Sequence, residues 1–412
     1  MILTNAIRNM VTPNWTRPEL SANFVYTTAS GQAVSPESAK RIATVYRCGN
    51  IISNDIAKLP LQQFISRGPG QIEQVRPDAF RRNMAYVVGV QPNYKQNSFI
   101  LRKTAINWLL FWGDSYLWTP PSRMREMFVL PSNLTIPRID EDGLLWFDVT
   151  FDGIPYSIPD VEVHHTMINS INGMNGRSVL TYARETIGRR QGANETQDKL
   201  YAQGLMPGAM IRFGGELSKE AREKALLSYT EAVSGSANAG RAVVLDGKVE
   251  QFETIPISAV DAQFLESIAA TETDIANFFE MPLYKLNYGK QSYESNEQQK
   301  LDYLDGTLEP YLTQGEQEAQ IKWLTNEEQA NSYWRYNRKA LLRMDAKARG
   351  EYLKSNILSG QMSPNEARQV EDEPSYPGGD YKYIPSNMAI IMPDGTIQMI
   401  SKNSGGNQNG QI

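Results

Sequence analysis

The residues able to do chemistry in this chain are few. Two histidines occur in 412 residues, and they are adjacent, His164 and His165. Any mechanism that needs an imidazole must use this one spot. Neighbouring side chains on a strand point to opposite faces, so the two rings diverge. A shared metal site is therefore not expected, and the pair reads as strand-end histidines in ordinary hydrogen bonds. The one cysteine, Cys48, excludes an intramolecular disulfide and any Cys-based zinc or iron–sulfur site within one chain. It falls on the apolar side of a helical pattern and reads as a small buried hydrophobe. Forty-six Asp and Glu offer many carboxylate pairs of the glycosidase kind, but no spacing singles one out. Gly247-Lys248 and Gly289-Lys290 lack the hydroxyl and the preceding glycine of a phosphate-binding loop, and Gly68-Pro69-Gly70 lacks the third glycine of a dinucleotide fingerprint. No Gly-x-Ser-x-Gly elbow occurs. Aromatic residues make up 10%, without an interleaved Lys/Arg stripe of the kind that stacks nucleic-acid bases. The expectation is a chain with no cofactor, no metal and no catalytic constellation.

Charge is more informative by segment than in total. Forty-one Lys and Arg oppose forty-six Asp and Glu, a formal −5, which argues against a surface that grips nucleic acid throughout. Residues 258–330 carry 4 basic and 14 acidic groups, net −10, and the rest of the chain is +5. Inside that acidic stretch, the segment 283–294 holds Lys285 and Lys290 with no acid between them. Hydrophobic residues make up 41%, enough for a sizeable core. Apolar runs such as Trp108–Trp112 are about five residues, against the ~18 a membrane span needs. Met1–Trp15 lacks the apolar core of a signal peptide. A soluble protein compatible with a reducing compartment is expected.

The elements that must position these residues follow from period and punctuation. Ser35 as N-cap, Pro36 and Glu37 open a helix whose apolar positions are Val45, Cys48, Ile52 and Ile56, ended by Pro60. A second helix spans Ser98 to about Phe111. Residues 113–168 then alternate in short β-rich runs around Asp142-Gly143 and Asp152-Gly153, and read as one small antiparallel sheet or barrel. A helix follows from Ser178 to about Gln203. A unit of strand, helix, strand, strand covers about 205–257, with strands at Met210–Phe213, Ala242–Leu245 and Gln251–Ile255 and a helix capped by Ser218. Ser258 with Asp261 opens a further helix, closed by Pro282. Ser295 with Gln298 opens a long helix with an expected kink at Pro310. A strand at Tyr333–Leu341 and two short helices in 345–370, parted at Gly360, complete the ordered pattern. The Gly/Asn/Gln-rich end reads as disordered.

The order of these elements, with their local motifs, resembles the portal proteins of tailed bacteriophages, in the shorter-chain, siphophage type. Val45-Tyr46-Arg47-Cys48 through Ile56-Ala57-Lys58-Leu59-Pro60-Leu61 is similar to the family's first helix. Gly113-Asp114-Ser115-Tyr116-Leu117-Trp118 is similar to its first wing strand, and Val163-His164 with Gly176-Arg177-Ser178-Val179-Leu180 to its entry into the stem. Further matches are Asn238-Ala239-Gly240-Arg241, Asp261-Ala262-Gln263-Phe264-Leu265-Glu266, Ile275-Ala276 to Pro282, Tyr293 to Asn296-Glu297-Gln298, Leu308-Glu309-Pro310, Ser363-Pro364-Asn365-Glu366-Ala367-Arg368 and Gly378-Gly379-Asp380. Gln203-Gly204 before Pro207, and Glu280-Met281-Pro282, depart from the family's usual residues.

The resemblance implies an α+β portal fold: a β-rich wing, a helical stem, a small α/β clip, a long kinked helix and a helical crown. It places a flexible arm at 1–24, the wing at 25–177 and 295–344, and stem helices at 178–204 and 258–282. The clip would be 205–257, the tunnel loop 283–294, the crown 345–395 and a disordered tail 396–412. It implies no enzyme activity and a homo-oligomeric ring of about twelve subunits at one capsid vertex, assembled in the host cytoplasm. Double-stranded DNA would pass through the ring on packaging and ejection. The terminase large subunit, a head–tail adaptor and the major capsid protein would be partners, with no membrane. On this resemblance Lys285, Tyr288, Lys290 and Gln291 lie nearest the DNA. Two other readings are a carboxylate-dependent hydrolase, which needs a convergent acid pair, and another ring-forming head–tail connector without a tunnel loop.

Overall fold

In the computed structural model the chain divides into two compact units, one ending at Leu341 and one beginning at Leu342. The structure describes residues 25–68, 71–121, 126–151, 154–202, 209–213, 218–224, 227, 249–254, 260–287, 296–341, 346–371, 373–382, 389–391 and 397–399. The arm 1–24, the predicted strand Ala242–Leu245, the caps Ser258 and Ser295, and the tail from 400 lie outside the described residues.

The first unit opens with a two-stranded hairpin, β1 (Tyr26–Thr27) and β2 (Ala33–Val34), and a one-turn helix α1 (Pro36–Ala39). Ser35 caps α1 in a capping box with Ser38. The helix predicted from Ser35 is in fact broken at Lys40–Ile42, and the main helix is α2 (Ala43–Lys58). The predicted apolar positions of α2 are all buried: Val45, Cys48, Ile52 and Ile56. Next come β3 (Leu61–Gly68), β4 (Gln71–Gln74), α3 (Met84–Gly89) and α4 (Ser98–Trp112). Helix α4 starts on the side chain of Asn97, which accepts the Ile100 N–H, and stops at Gly113 in the left-handed region, φ +94°. Helices α2 and α4 pack closely because Gly49 leaves room for the Phe111 ring: a Cβ there would stand 2.6 Å from Phe111 Cζ.

The β-rich stretch forms two sheets rather than one. β5 (Asp114–Trp118) pairs with β6 (Phe128–Leu130) and β10 (Val163–Met167). β7 (Thr135–Ile139), β8 (Leu145–Phe151) and β9 (Ile154–Pro159) form a separate meander. A 3-10 turn at Ser132–Leu134 takes the chain out of the first ladder, so the second sheet stacks on the first instead of extending it. The stacked faces share a core of Tyr116, Leu130, Phe147, Val149, Ile158 and Val163, with Tyr116 and Phe147 tilted at 5.2 Å. A third sheet, in the order β13-β3-β4, joins β3 to β13 (Ser332–Tyr336), near the far end of this unit. Sequence reading missed β3, whose Gln62-Gln63 and Ser66-Arg67 dilute any alternation, and it placed the end of β13 too late. The strand stops at Tyr336 because Arg338 turns back to Glu309 and Glu316 in a 3-10 turn, Arg338–Ala340.

Helix α5 (Val179–Ala202) and helix α6 (Val260–Phe278) pack against each other, and α6 also meets α2. Glu272 of α6 is buried where the three meet: it accepts the Thr44 hydroxyl and the Arg190 Nε at 2.6 Å. Burial first, and then the Glu272 charge, push the nearby Cys48 thiol up to about 12. Between α5 and α6 the described residues include β11 (Ala209–Phe213) paired with β12 (Val249–Thr254), and a helical stretch begun by Ser218, whose hydroxyl accepts the Ala221 N–H. The long helix is α7 (Asn296–Tyr303), a wide π turn at Leu304–Leu308, and α8 (Glu309–Trp323). The irregularity sits just before Pro310. Proline offers no N–H and its ring crowds the carbonyl four residues back, and the wide turn, with the Glu309 N–H bonded to Leu304 O, relieves that clash. A short helix α9 (Asn326–Gln329), boxed by Thr325 and Glu328, leads into β13.

The second unit holds α10 (Ala346–Leu358) and α11 (Pro364–Val370), parted at Gly360 with φ +72°. Ser363 and Glu366 cap α11 reciprocally. Asn365 binds the following loop through Tyr376 and Asp380. A small hairpin, β14 (Ala389–Ile391) and β15 (Ile397–Met399), follows. No helix among the described residues is long and apolar enough to cross a membrane.

Gly176 tests the junction between the first β-sheet and α5. A Cβ there would lie 1.9 Å from the Gly113 carbonyl oxygen and 2.6 Å from that of Ile168. Both are backbone atoms, so neither can rotate away. Gly176→Ala should cost at least the roughly 1–3 kcal/mol of an overpacked core and lower the midpoint of thermal unfolding. Gly89→Ala, with nothing within 4 Å of its new methyl, should leave the midpoint nearly unchanged.

Candidate functional site

The chemistry-bearing residues fall in two places. The first is the histidine pair. On β10 the two rings do diverge. His165 Nε2 bonds Asp114 Oδ1 at 2.9 Å, and its ring stacks on Tyr116 at 4.5 Å. His164 Nε2 donates to the Gly315 carbonyl at 3.1 Å and stacks on Trp323 at 4.7 Å. Both rings are buried. Burial lowers the His164 pKa to about 4, opposed in part by its hydrogen bond to Gly315. The Asp114 carboxylate also accepts the Gly176 N–H at 2.7 Å, so the His165 pair closes a backbone corner. Among the described residues neither imidazole is bonded to a hydroxyl or a thiol, and no group of three or more His, Cys, Asp or Glu could hold a metal ion.

The second place is the root of the 283–294 segment. After α6 the chain turns sharply: Glu280 takes φ +51°, the Met281 N–H returns to Ala276 O, and Pro282 starts a 3-10 turn, Leu283–Leu286, ended by Asn287 at φ +61°. Met281 and Leu286 are buried, so the turn is nailed down by apolar contact as well. Lys285 then meets a buried carboxylate from α2. Its Nζ lies 3.3 Å from Asp55 Oδ2 and 4.1 Å from the centroid of the Tyr303 ring. The Tyr303 hydroxyl donates to the same Asp55 oxygen at 3.2 Å, while Lys58 Nζ reaches the other at 3.2 Å. Arg47, two turns up α2, donates to the Lys285 carbonyl at 2.9 Å.

The same turn is also tied to the long helix. Tyr284 donates its hydroxyl to Gln299 O at 2.7 Å, and Thr307 donates to Glu280 O at 2.6 Å. Burial, and then the Asp55 charge, push the Tyr303 phenol far up, so it remains a donor at any physiological pH. Tyr284 is also raised, by burial and then by Asp302 and Asp55. The arrangement holds a position and offers no poised acid, base or nucleophile.

Of the four residues singled out in the sequence, Lys285 is here, its ammonium engaged with Asp55 and Tyr303. Tyr288, Lys290 and Gln291 lie outside the described residues. Asp55, Tyr303 and Arg47 were not singled out, because nothing in their local sequence shows that segments more than two hundred residues apart converge.

The class of protein follows from comparison with known families. The family model for phage portal protein matches residues 43–372. The chain belongs to the phage portal protein family. The probable portal protein of Streptomyces phage phiC31 is 27% identical over 382 residues, spanning 88% of this chain and 82% of that one. The portal protein of Enterobacteria phage HK97 is 22% identical over 365 residues, spanning 86% and 85%. Among solved structures, a chain in the neck of a native gene transfer agent particle, computed with C12 symmetry, aligns with a TM-score of 0.56 at 20% identity, over 91% of this chain and 100% of its own. An HK97 family phage portal protein from Corynebacterium diphtheriae aligns with a TM-score of 0.52 at 17% identity, over 77% and 97%. These likenesses bear out the α+β portal fold.

Two outcomes are expected. Asp55→Ala removes the anion that holds Lys285 and Tyr303. It should cost about 3 kcal/mol, the low end for breaking a buried pair, because Lys285 keeps some access to water. Trypsin should then cut after Lys285 faster than in the wild type. The second outcome concerns pH. His164 is lowered when folded, so the unfolded state binds the extra proton between pH 6.5 and about 4. Stability is therefore full above about pH 6.5 and falls as the pH drops through this window, by about 3 kcal/mol from this residue. Urea unfolding of His164→Gln should show a shallower loss between pH 7 and 4.5 than the wild type.

Proposed function

We propose that the chain assembles into a ring of about twelve copies at one capsid vertex and conducts double-stranded DNA through its centre during packaging and ejection, with no catalytic step of its own. The match to the portal family over residues 43–372 carries this reading. The C12 symmetry of the related neck supports the subunit number. In this reading 25–177 and 295–344 form the wing, and 178–204 with 258–282 the stem. The clip is 205–257, the crown 345–395, and 283–294 the tunnel loop. The clip takes the terminase large subunit on packaging and a head–tail adaptor afterwards, and the wing faces the major capsid protein. Assembly occurs in the host cytoplasm and the product resides in the virion.

The charge pattern suits a conduit. Each phosphate neutralised by Lys or Arg strengthens DNA binding, so a channel that must let DNA slide does better with few cations in an acidic setting. Residues 258–330 have that composition. We assign Lys285 to the base of the tunnel loop, where Asp55 holds it, and Tyr288, Lys290 and Gln291 to its tip, nearest the duplex. Lys290→Ala should impair DNA packaging or retention while leaving ring formation intact. Lys285→Ala should also loosen the loop root, seen as faster hydrogen exchange at 283–287. Normal packaging and retention in the double variant Lys285→Ala/Lys290→Ala would overturn the assignment. Negative-stain images showing compact monomers instead of rings with an axial hole would overturn the conduit itself.

A further inference from the structure

The turn between β4 and α3 displays an aromatic side chain in the open: Phe80 is 95% exposed. The turn is rigid. Asp78 Oδ1 accepts the N–H groups of Phe80 at 2.9 Å and Arg81 at 3.0 Å. Asn83 accepts the Asp78 N–H at 3.0 Å and donates to Arg76 O at 2.9 Å. Arg82, at φ +46°, donates to Gln91 O at 3.0 Å and lies over the Tyr86 ring. Arg76 and Arg81 flank Phe80 and face solvent, Arg81 only loosely paired to Asp78 at 3.9 Å. An aromatic between arginines, already ordered, loses little entropy on docking and has the composition of an interface hot spot.

A complementary receptor sits elsewhere on the same unit. Helix α7 and the wide turn after it line an open pocket of about 320 Å³. Leu301, 40% exposed, and Leu304 supply its apolar wall, and Asp302, Asp305 and Glu309 its rim. Arg338 occupies Glu309, but neither Asp302 nor Asp305 is ion-paired among the described residues. The two features are far apart in one subunit. Met84 of α3 lines the same cleft as Trp323 at the end of α8, and Leu301 is 22 residues earlier on the same long helix, about 30 Å away at ~1.5 Å per residue. A subunit therefore cannot fill its pocket with its own turn. Two different patches at separate ends of a subunit are what a head-to-tail ring contact uses.

We propose that the Phe80 turn of one subunit seats in the α7 pocket of the next, with Phe80 against Leu301 and Leu304 and with Arg76 and Arg81 facing Asp302 and Asp305. The contact deepens the ring reading above and rests on it. The one native cysteine, Cys48, is buried and its thiol is raised to about 12, so it stays silent in cross-linking. Purified Phe80→Cys/Leu301→Cys should give, on mild oxidation, a ladder of covalent oligomers on a non-reducing gel, and each single variant should not. Phe80→Ala with Arg81→Glu should raise the concentration needed for assembly roughly 30-fold or more, the effect of losing a hot spot. Arg81→Asp should weaken assembly and Asp302→Arg, added to it, should restore part of the loss. A wild-type ring with no ladder from the double-cysteine variant overturns this contact alone. So does a ladder that forms instead with Phe80→Cys/Ile321→Cys, on the groove of Ile321 and Tyr333 at the other end of the long helix. A wild-type chain that stays monomeric at all concentrations overturns the ring and this contact with it.

Discussion

The Asp55 carboxylate is where the first unit is tied together. A buried anion is costly unless it is paired and hydrogen-bonded, and Asp55 is satisfied by groups that come from three places in the chain: Lys58 on its own helix, Lys285 after α6, and Tyr303 on α7. Lys58 comes with α2 itself, but Lys285 and Tyr303 reach Asp55 only when the turn after α6 and the long helix have docked on α2. The same arrangement holds the turn after α6 on both sides, since Arg47 and Asp55 hold Lys285 to α2 while Tyr284 and Thr307 link the turn to the long helix.

Around this clamp, polar groups are used to fix geometry. Glu272 locks α2, α5 and α6 through Thr44 and Arg190. Asp114 locks the end of β10 to the Gly176 corner through His165. Arg338 closes the end of β13 on Glu309 and Glu316. In each case a charged group is satisfied by partners distant in sequence. The two histidines, the first suspects for chemistry, turn out to be such structural partners: one is buried and hard to protonate, the other bound to a carboxylate that serves the backbone. In this member of the phage portal protein family, then, the charged side chains serve to fix which segments become neighbours.

Much of the fold could be read from the residues in order. The apolar spacing of Val45, Cys48, Ile52 and Ile56, the helix from Ser98, the Ser363 start, the Gly360 break and the disturbance at Pro310 are all local effects of side-chain shape and backbone freedom. The misreadings share one cause. β3 carries a weak alternating pattern because it is a ladder partner of β13, some 270 residues later, and not a strand in its own right. The residues from 113 to 168 looked like one sheet because each strand was visible and the turn that splits them, Ser132–Leu134, was not.

The sequence by itself determined the family, the α+β class, the lack of a thiol or imidazole array, and the concentration of acid in 258–330, because these rest on residue identity and local spacing. Only the tertiary structure decided that Lys285 answers to Asp55 and Tyr303, that His164 meets Gly315 and Trp323 while His165 meets Asp114 and Tyr116, and that Phe80 stands exposed at one end of the long helix with an acidic pocket at the other. Those facts depend on which distant segments become neighbours. The free energy that brings them together is spread over a whole core and leaves little trace in any one stretch of residues.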